Sequence, residues 1–241
     1  MLIKAIIIDD ERPARAELKK LLQAFPEIEV LDEAQNSREA IEKINLHSPD
    51  LIFLDIQMPG KNGFELLSEL MSTPKVIFTT AFDEYALKAF EVNALDYLLK
   101  PIDTKRLAEA IQKLSLQITL QSAQKESKTV LTENEQFFVK DGEKCWFVKL
   151  ADVRLFESAG NYAKVYFEEY KPLILKSLNA LEERLDEHHF FRVNRKHIVN
   201  LKWIAKIEPY FNGGLLLELK NGDKIEVSRR QSAKFKEMMS L

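Results

Sequence analysis

Three carboxylates stand where the surrounding chain is apolar. Ile6-Ile7-Ile8 runs into Asp9-Asp10, and Leu51-Ile52-Phe53-Leu54 runs into Asp55. A single aspartate after an apolar run is commonly a cap or turn residue. Two such runs ending in acid point instead to a site, since functional groups gather at the carboxyl ends of parallel strands. Clustered carboxylates raise one another's pKa, a conflict that a hard cation resolves. An oxygen-only set of this size fits Mg²⁺, which keeps several waters and shares its coordination with phosphate oxygens. Two further apolar runs bring complementary groups. Val76–Thr79 leads to Thr80-Ala81, whose hydroxyl can donate to a phosphoryl oxygen. Asp96–Leu99 leads to Lys100-Pro101, whose ammonium can neutralise phosphoryl charge. Alone, Thr80 would read as a strand residue and Lys100 as a solvated lysine. Together, the four run ends describe a centre for phosphoryl chemistry.

The elements that must position these groups are legible from periodicity. Ile3–Ile8, Glu29–Ala34, Leu51–Leu54, Val76–Thr79 and Asp96–Leu99 read as strands. Pro13–Phe25, Ser37–Ile44, Gly63–Met71, Tyr85–Glu91 and Thr104–Leu120 read as helices, with Ser37 as an N-cap. Five strands alternating with five helices predict an α/β doubly wound, five-stranded parallel sheet covered on both faces. Thr119–Gln136 is polar and reads as the end of the last helix passing into a linker.

From Phe137 the period changes to short apolar runs separated by turn residues. Asp141-Gly142, Ala159-Gly160-Asn161, Asn212-Gly213-Gly214 and Asn221-Gly222-Asp223 punctuate them. Ser177–Leu185 and Arg230–Met239 are the only helical stretches here, so the second half is expected to be a mostly antiparallel β domain. The expected division is 1–119, a linker over 120–134, and 135–241.

Composition is that of a soluble globular chain, 46% apolar and 30% charged. No window has the length and apolarity of a membrane span, and the N-terminal apolar run, followed by acids, does not read as a signal peptide. The lone Cys145 cannot form an internal disulfide or a cysteine-based metal site and reads as a small core hydrophobe. A cytoplasmic location is expected. The net charge of −3 is unevenly spread: residues 1–119 carry 14 Lys/Arg against 20 Asp/Glu, and residues 120–241 carry 21 against 18. Two modules with different partners are implied.

The first half resembles the receiver domain of two-component response regulators. The likeness rests on Asp9-Asp10, the stretch DIQMPGKNG from Asp55 to Gly63, Thr80-Ala81, Tyr97 and Lys100-Pro101. It implies that Asp55 accepts a phosphoryl group from a sensor histidine kinase. It also implies that Asp10, Asp55 and the Gln57 backbone carbonyl hold Mg²⁺, with Asp9 acting through a bound water. Thr80 and Tyr97 would be the switch pair, Lys100 would assist at the phosphoryl group, and Lys100-Pro101 would be a cis peptide. Homodimerisation through the receiver would follow phosphorylation. No turnover of an external substrate is implied, so the chain is not expected to be an enzyme. The rival, a phosphohydrolase resembling the haloacid dehalogenases, needs Asp-x-Asp, and Asp55-Ile56-Gln57 lacks the second acid.

In the second half, FRVNRKHIVNLKW (191–203) and VSRRQSAKFK (227–236) are basic and free of acids. Such stretches are ordinary solvated surface or a nucleic-acid footprint. With FESAGNYAKVYF (156–167), they resemble the LytTR-type DNA-binding domain of LytR- and AlgR-like regulators, in which loops of a β-rich fold enter the major groove. The resemblance implies double-stranded DNA as the partner and Asn161, Tyr162, Arg192, Arg195, Lys196, Arg229 and Arg230 as contacts, Arg195 and Arg230 foremost for bases. Tyr162 has an alternative as a core strand aromatic.

Overall fold

The computed structural model describes residues 2–81, 95–121, 131, 133, 135–142 and 144–239. Two compact units emerge, and they do not follow a single cut in the chain. One comprises residues 1–125 with 136–147, the other 126–135 with 148–241.

In the first unit the strands are β1 (Ile3–Ile8), β2 (Ile28–Ala34), β3 (Leu51–Asp55), β4 (Lys75–Thr80) and β5 (Asp96–Leu99). They form a parallel sheet in the order β2-β1-β3-β4-β5. Strand residues alternate between two cores. Ile6, Ile8, Ile52, Leu54 and Phe78 face α2 (Ser37–His47) and α3 (Gly63–Glu69). Ala5, Ile7, Leu51, Phe53 and Ile77 face α1 (Arg12–Leu22) and α4 (Thr104–Gln121). A strand buried on both sides has no polar face, which is why these runs read as continuously apolar. The helix expected over Tyr85–Glu91 lies outside the described residues.

Two local readings are corrected. The α2 cap is Asn36, not Ser37: its side chain accepts from the Glu39 amide at 2.9 Å, and Ser37 is already helical. The helix expected over Pro13–Phe25 ends at Leu22, where the chain tightens into a turn closed by Phe25 N–H donating to the Leu22 carbonyl.

The hairpin of β6 (Gln136–Asp141) and β7 (Lys144–Lys149) turns at Asp141-Gly142, as its sequence suggests. Residues 136–147, which follow the expected linker, pack into the first unit. Phe138 is fully buried and stacks on Phe64 of α3, with ring centroids 6.1 Å apart. Its amide donates to Thr73 Oγ1 at 3.1 Å, and the Thr73 amide donates to the Gln136 carbonyl at 2.9 Å. Cys145 packs against the same core.

The second unit is antiparallel. β8 (Leu155–Ala159), β9 (Tyr162–Tyr166), β10 (Leu173–Ile174), β11 (Phe190–Arg192) and β12 (His197–Asn200) form one sheet, in the order β10-β9-β8-β12-β11. β13 (Ile204–Pro209), β14 (Leu215–Leu219) and β15 (Lys224–Val227) form another. A short helix, α5 (Leu178–Glu182), and a C-terminal one, α6 (Arg229–Met238), complete it. Leu155, Phe191, Val199, Leu217, Val227 and Phe235 share its core. From the expected linker, Leu131 is ordered here: its amide donates to the Arg184 carbonyl, and its carbonyl accepts from Asp186. Among the described residues, no helix is long and apolar enough to cross a membrane.

Candidate functional sites

The register of the parallel sheet lines up the acids. Ile8 is opposite Leu54, so the next residues, Asp9 and Asp55, leave adjacent strands at the carboxyl edge. Asp55 is opposite Thr79, which places Thr80 one step further on, and Thr80 is opposite Leu99, which precedes Lys100. Asp9, Asp55, Thr80 and Lys100 therefore lie along one edge, at the point where strand order reverses.

Carboxylate oxygens of Asp9, Asp10 and Asp55 come within 4.8 Å of one another. Asp9 and Asp55 are buried, 3% and 5% exposed. Lys100 Nζ bridges them at 2.7 Å to Asp9 Oδ2 and 3.0 Å to Asp55 Oδ2. Burial pushes the Asp55 carboxyl up, and Asp9 adds to that, while Lys100 opposes both. For Lys100, burial alone would lower the ammonium, but its bonds to Asp9 and Asp55 win and raise it. The oxygen-only donor set, crowded and tied together by one ammonium, fits a hard divalent cation.

The loop after Asp55 is built to stay close to it. The Gln57 amide donates to Asp55 Oδ1 at 3.2 Å. A Cβ at Gly63 would stand 2.6 Å from the Asp55 carbonyl oxygen, so only glycine lets α3 begin there. Asn62 and Glu65 close a capping box over that start. Thr80 is fully buried, and Tyr97 is 8% exposed, already within the core beside Phe78. The Lys100–Pro101 peptide is cis.

Two features of this unit went unread in the sequence. Arg15 Nη1 donates to the Asp9 carbonyl at 2.7 Å and its Nε pairs with Glu33 at 3.2 Å, which clamps the acid loop to α1 and β2. Asp96, buried at the head of β5, binds Arg106 at 3.1 Å and Lys113 at 2.7 Å on α4. The helical spacing of Arg106 and Lys113 was available as a signal for the latter. Nothing in the local pattern marks Arg15.

The second candidate site is one end of the β-rich unit, where three segments converge. The Ser158 amide, at the end of β8, donates to the Lys196 carbonyl at 2.8 Å. The Ser228 amide, after β15, donates to the Val193 carbonyl at 2.9 Å. Asn194 Nδ2 donates to the Glu226 carbonyl at 2.7 Å, while its Oδ1 accepts from the amides of Lys196 and His197. Asn194 thus shapes the β11–β12 loop, a role its sequence context did not reveal. An open cleft of about 780 Å³ is lined by Arg192, Arg195, Lys196 and Arg230, among others. His197 also lines it, and burial holds its imidazole below the usual range.

The seven expected contacts separate here. Arg195, Lys196, Arg229 and Arg230 are exposed, as are Asn161 on the β8–β9 turn and Tyr162 at the start of β9. Tyr162, 45% exposed, is not a core residue. Arg192 is different. Its guanidinium donates to Asn179 Oδ1 at 2.7 Å, Glu182 at 2.8 Å, and the carbonyls of Asn194 and Arg195. It braces the loop that carries Arg195. Arg229, Asn161 and Tyr162 do not line the cleft.

Comparison with known proteins matches both units. Residues 5–112 match the response regulator receiver domain family, and residues 143–240 match the LytTr DNA-binding domain family. The sensory transduction protein LytT of Bacillus anthracis is 34% identical over 254 residues, with all of both chains covered. An uncharacterized response regulatory protein of Vibrio cholerae serotype O1 is 39% identical over 242 residues, covering 99% of each chain. The transcriptional regulatory protein LytR of Staphylococcus aureus strain RF122 is 32% identical over 247 residues, covering 99% of this chain and 100% of that one.

Proposed function

The chain belongs to the LytR/AlgR-type response regulators, a receiver domain joined to a LytTR DNA-binding domain, and from that membership we propose that phosphorylation of Asp55 controls its binding to specific DNA. The observation that carries this reading is the edge itself: three carboxylates within 4.8 Å, with Lys100 bonded to two of them.

In this reading an Asp55 carboxylate oxygen attacks the phosphorus of a phosphohistidine on a sensor kinase. The O–P bond forms, the N–P bond breaks, and the imidazole leaves with its electron pair. Water later cleaves the acyl phosphate to inorganic phosphate, so no external substrate is turned over. Lys100 offsets the negative charge on the transferred group. Mg²⁺, held by Asp10, Asp55 and the Gln57 carbonyl with Asp9 acting through a water, would screen the phosphoryl oxygens. Thr80 donates to the new phosphoryl group, and its movement is felt by Tyr97. Because Tyr97 is already buried, phosphorylation would stabilise the inward ring rather than bring it in.

The face that responds includes β5 and α4, with Asp96, Arg106 and Lys113 on it. We infer that it pairs two receivers, raising the effective concentration of the second DNA-binding domain at paired half-sites. Arg195 and Arg230 would read base edges, Lys196 and Arg229 would hold phosphates, and Asn161 and Tyr162 would reach an adjacent step. Arg192 would position Arg195 rather than touch DNA. Such a regulator works in the cytoplasm, where its target DNA is.

The test is intact mass after treating the full chain with acetyl phosphate and Mg²⁺. One phosphoryl group is expected on the wild type and none on Asp55→Asn. Equal gain in both would overturn the assignment of Asp55. Affinity for selected and scrambled duplexes, titrated with salt before and after phosphorylation, tests the DNA arm. No discrimination in either state would remove it.

A further inference from the structure

The end of the second unit that carries the proposed DNA contacts holds one more loop. The hydrogen bonds order this edge from one side to the other. The end of β8 is tied to Lys196, the β11–β12 loop is tied to Ser228 and Glu226, and Val227, which precedes Ser228, is opposite Leu215 of β14. Leu215 in turn is opposite Pro209 of β13. The next neighbour in the row is therefore the β13–β14 turn, Tyr210–Gly214, beside the start of α6.

That turn is rigidly built. The Tyr210 amide donates to the Gly214 carbonyl at 3.0 Å, and the Gly214 amide donates to the Phe211 carbonyl at 3.0 Å. Gly213 has a φ of +79°, a conformation costly for other residues. At its tip is Phe211, 77% exposed, packed edge-on against Tyr210 with centroids 4.9 Å apart. Apart from the Tyr210 contact the ring buries little against its own fold and stands open to a partner.

We propose that Phe211 is a fourth-loop contact to DNA: an apolar one, packing on deoxyribose carbons or a thymine methyl at the flank of the step read by Arg230. The inference rests on the DNA-binding reading of this edge. It is favoured by continuity, since the turn adjoins Ser228 and the arginines that follow it, so that a duplex reaching past Ser228 would meet it. It also fits the chemistry of the groove, where aromatic and methyl groups meet thymine. Arginine and lysine release counterions on binding, whereas a phenyl ring does not, so this contact is insensitive to salt.

The experiment uses the full chain, with the wild type first shown to discriminate a selected from a scrambled duplex. Phe211→Ala should weaken the selected complex about tenfold, the scale of one apolar contact net of ordering costs, with no change in the salt slope. Phe211→Tyr should restore most of the loss. Hydroxyl-radical protection should vanish only at the flank, leaving the central footprint. Unchanged affinity and footprint in Phe211→Ala, with discrimination intact in the wild type, would overturn the inference and leave the DNA reading standing. Loss of self-association in Phe211→Ala without DNA would also overturn it, by assigning the ring to a second copy of the chain. If the wild type shows no discrimination, the DNA reading falls and this inference falls with it.

Discussion

At the edge of the parallel sheet, Asp9 and Asp55 are almost wholly buried and joined by Lys100. At the edge of the β-rich unit, Arg195, Lys196, Arg229 and Arg230 are exposed. The first site holds charge out of water, so each group is felt strongly by the others and a small change alters all of them. The second holds charge in water, where individual cations are cheap to place and weakly coupled. Its precision comes from hydrogen bonds to the loop backbone: Asn194 folding the loop and Arg192 directing its donors to the carbonyls beneath it. The first candidate site is thus built from its charged groups themselves, the second from what lies behind its charged groups.

Six substitutions probe that contrast, from the largest expected effect down. Phe138→Ala empties a fully buried aromatic site in the first unit, where Phe→Ala costs about 3–5 kcal/mol. Hydrogen exchange should accelerate in residues 2–81 and 136–142 while residues 148–239 keep their protection. Acceleration spread evenly over both units would break the comparison at its root. Asp10→Ala, removing an oxygen donor from the crowded edge, should slow labelling by acetyl phosphate roughly 100-fold, as should chelation of Mg²⁺. Arg195→Ala should leave labelling untouched, and normal labelling of Asp10→Ala would count against a cation there.

On the reading surface, Arg195→Ala should cost roughly 1–3 kcal/mol on a selected duplex and relax preference at particular positions. Lys196→Ala should weaken selected and scrambled duplexes alike and reduce the salt slope by about 1. Arg192→Ala sharpens the distinction. It should lower specific affinity together with protection of the 193–196 loop, whereas a direct contact would lose affinity alone.

The smallest effect is thermal. Because Asp55 has a raised pKa in the folded state, its contribution to stability is intact below the ordinary carboxylate range and lost as pH rises through the raised value. Asp55→Asn is free of that loss. Without divalent cations its melting point should exceed the wild type's at pH 7, and the gap should close in acid. A gap that is constant with pH would show that titration of the carboxyl is not its source.

The sequence spoke most clearly where hydrophobicity and chemistry coincide. Asp9, Asp55, Thr80 and Lys100 each follow an apolar strand, and parallel pairing turns that one-dimensional pattern into a shared edge. The cap at Asn36 was missed by one residue because Ser37 is an equally good capping type, and only the bond to Glu39 decides between them. Arg15 and Asn194 could not be read, since each works through backbone carbonyls or amides whose positions depend on the finished loop. Arg192 and Arg195 look alike in sequence, two basic residues in an acid-free stretch. The side chains that engage Arg192, Asn179 and Glu182, come from α5, and no local pattern announces them. The apolar runs flanking Asp141-Gly142 marked 137–149 as a hairpin, but such a pattern does not say which core a hairpin will join.

That last point bears on heredity as much as on mechanics. Because residues 126–135 belong to the second unit and 136–147 to the first, no single recombination joint leaves both units whole. A graft joined inside the polar stretch before residue 131 would carry Phe138 to a foreign receiver. Unless that receiver offered a counterpart to Phe64 and Thr73, the hairpin would be stranded with an apolar ring in water. Exchange of input halves among regulators built this way is therefore restricted to receivers that already match the ribbon, or to joints placed after residue 147 with the ribbon travelling alongside its host.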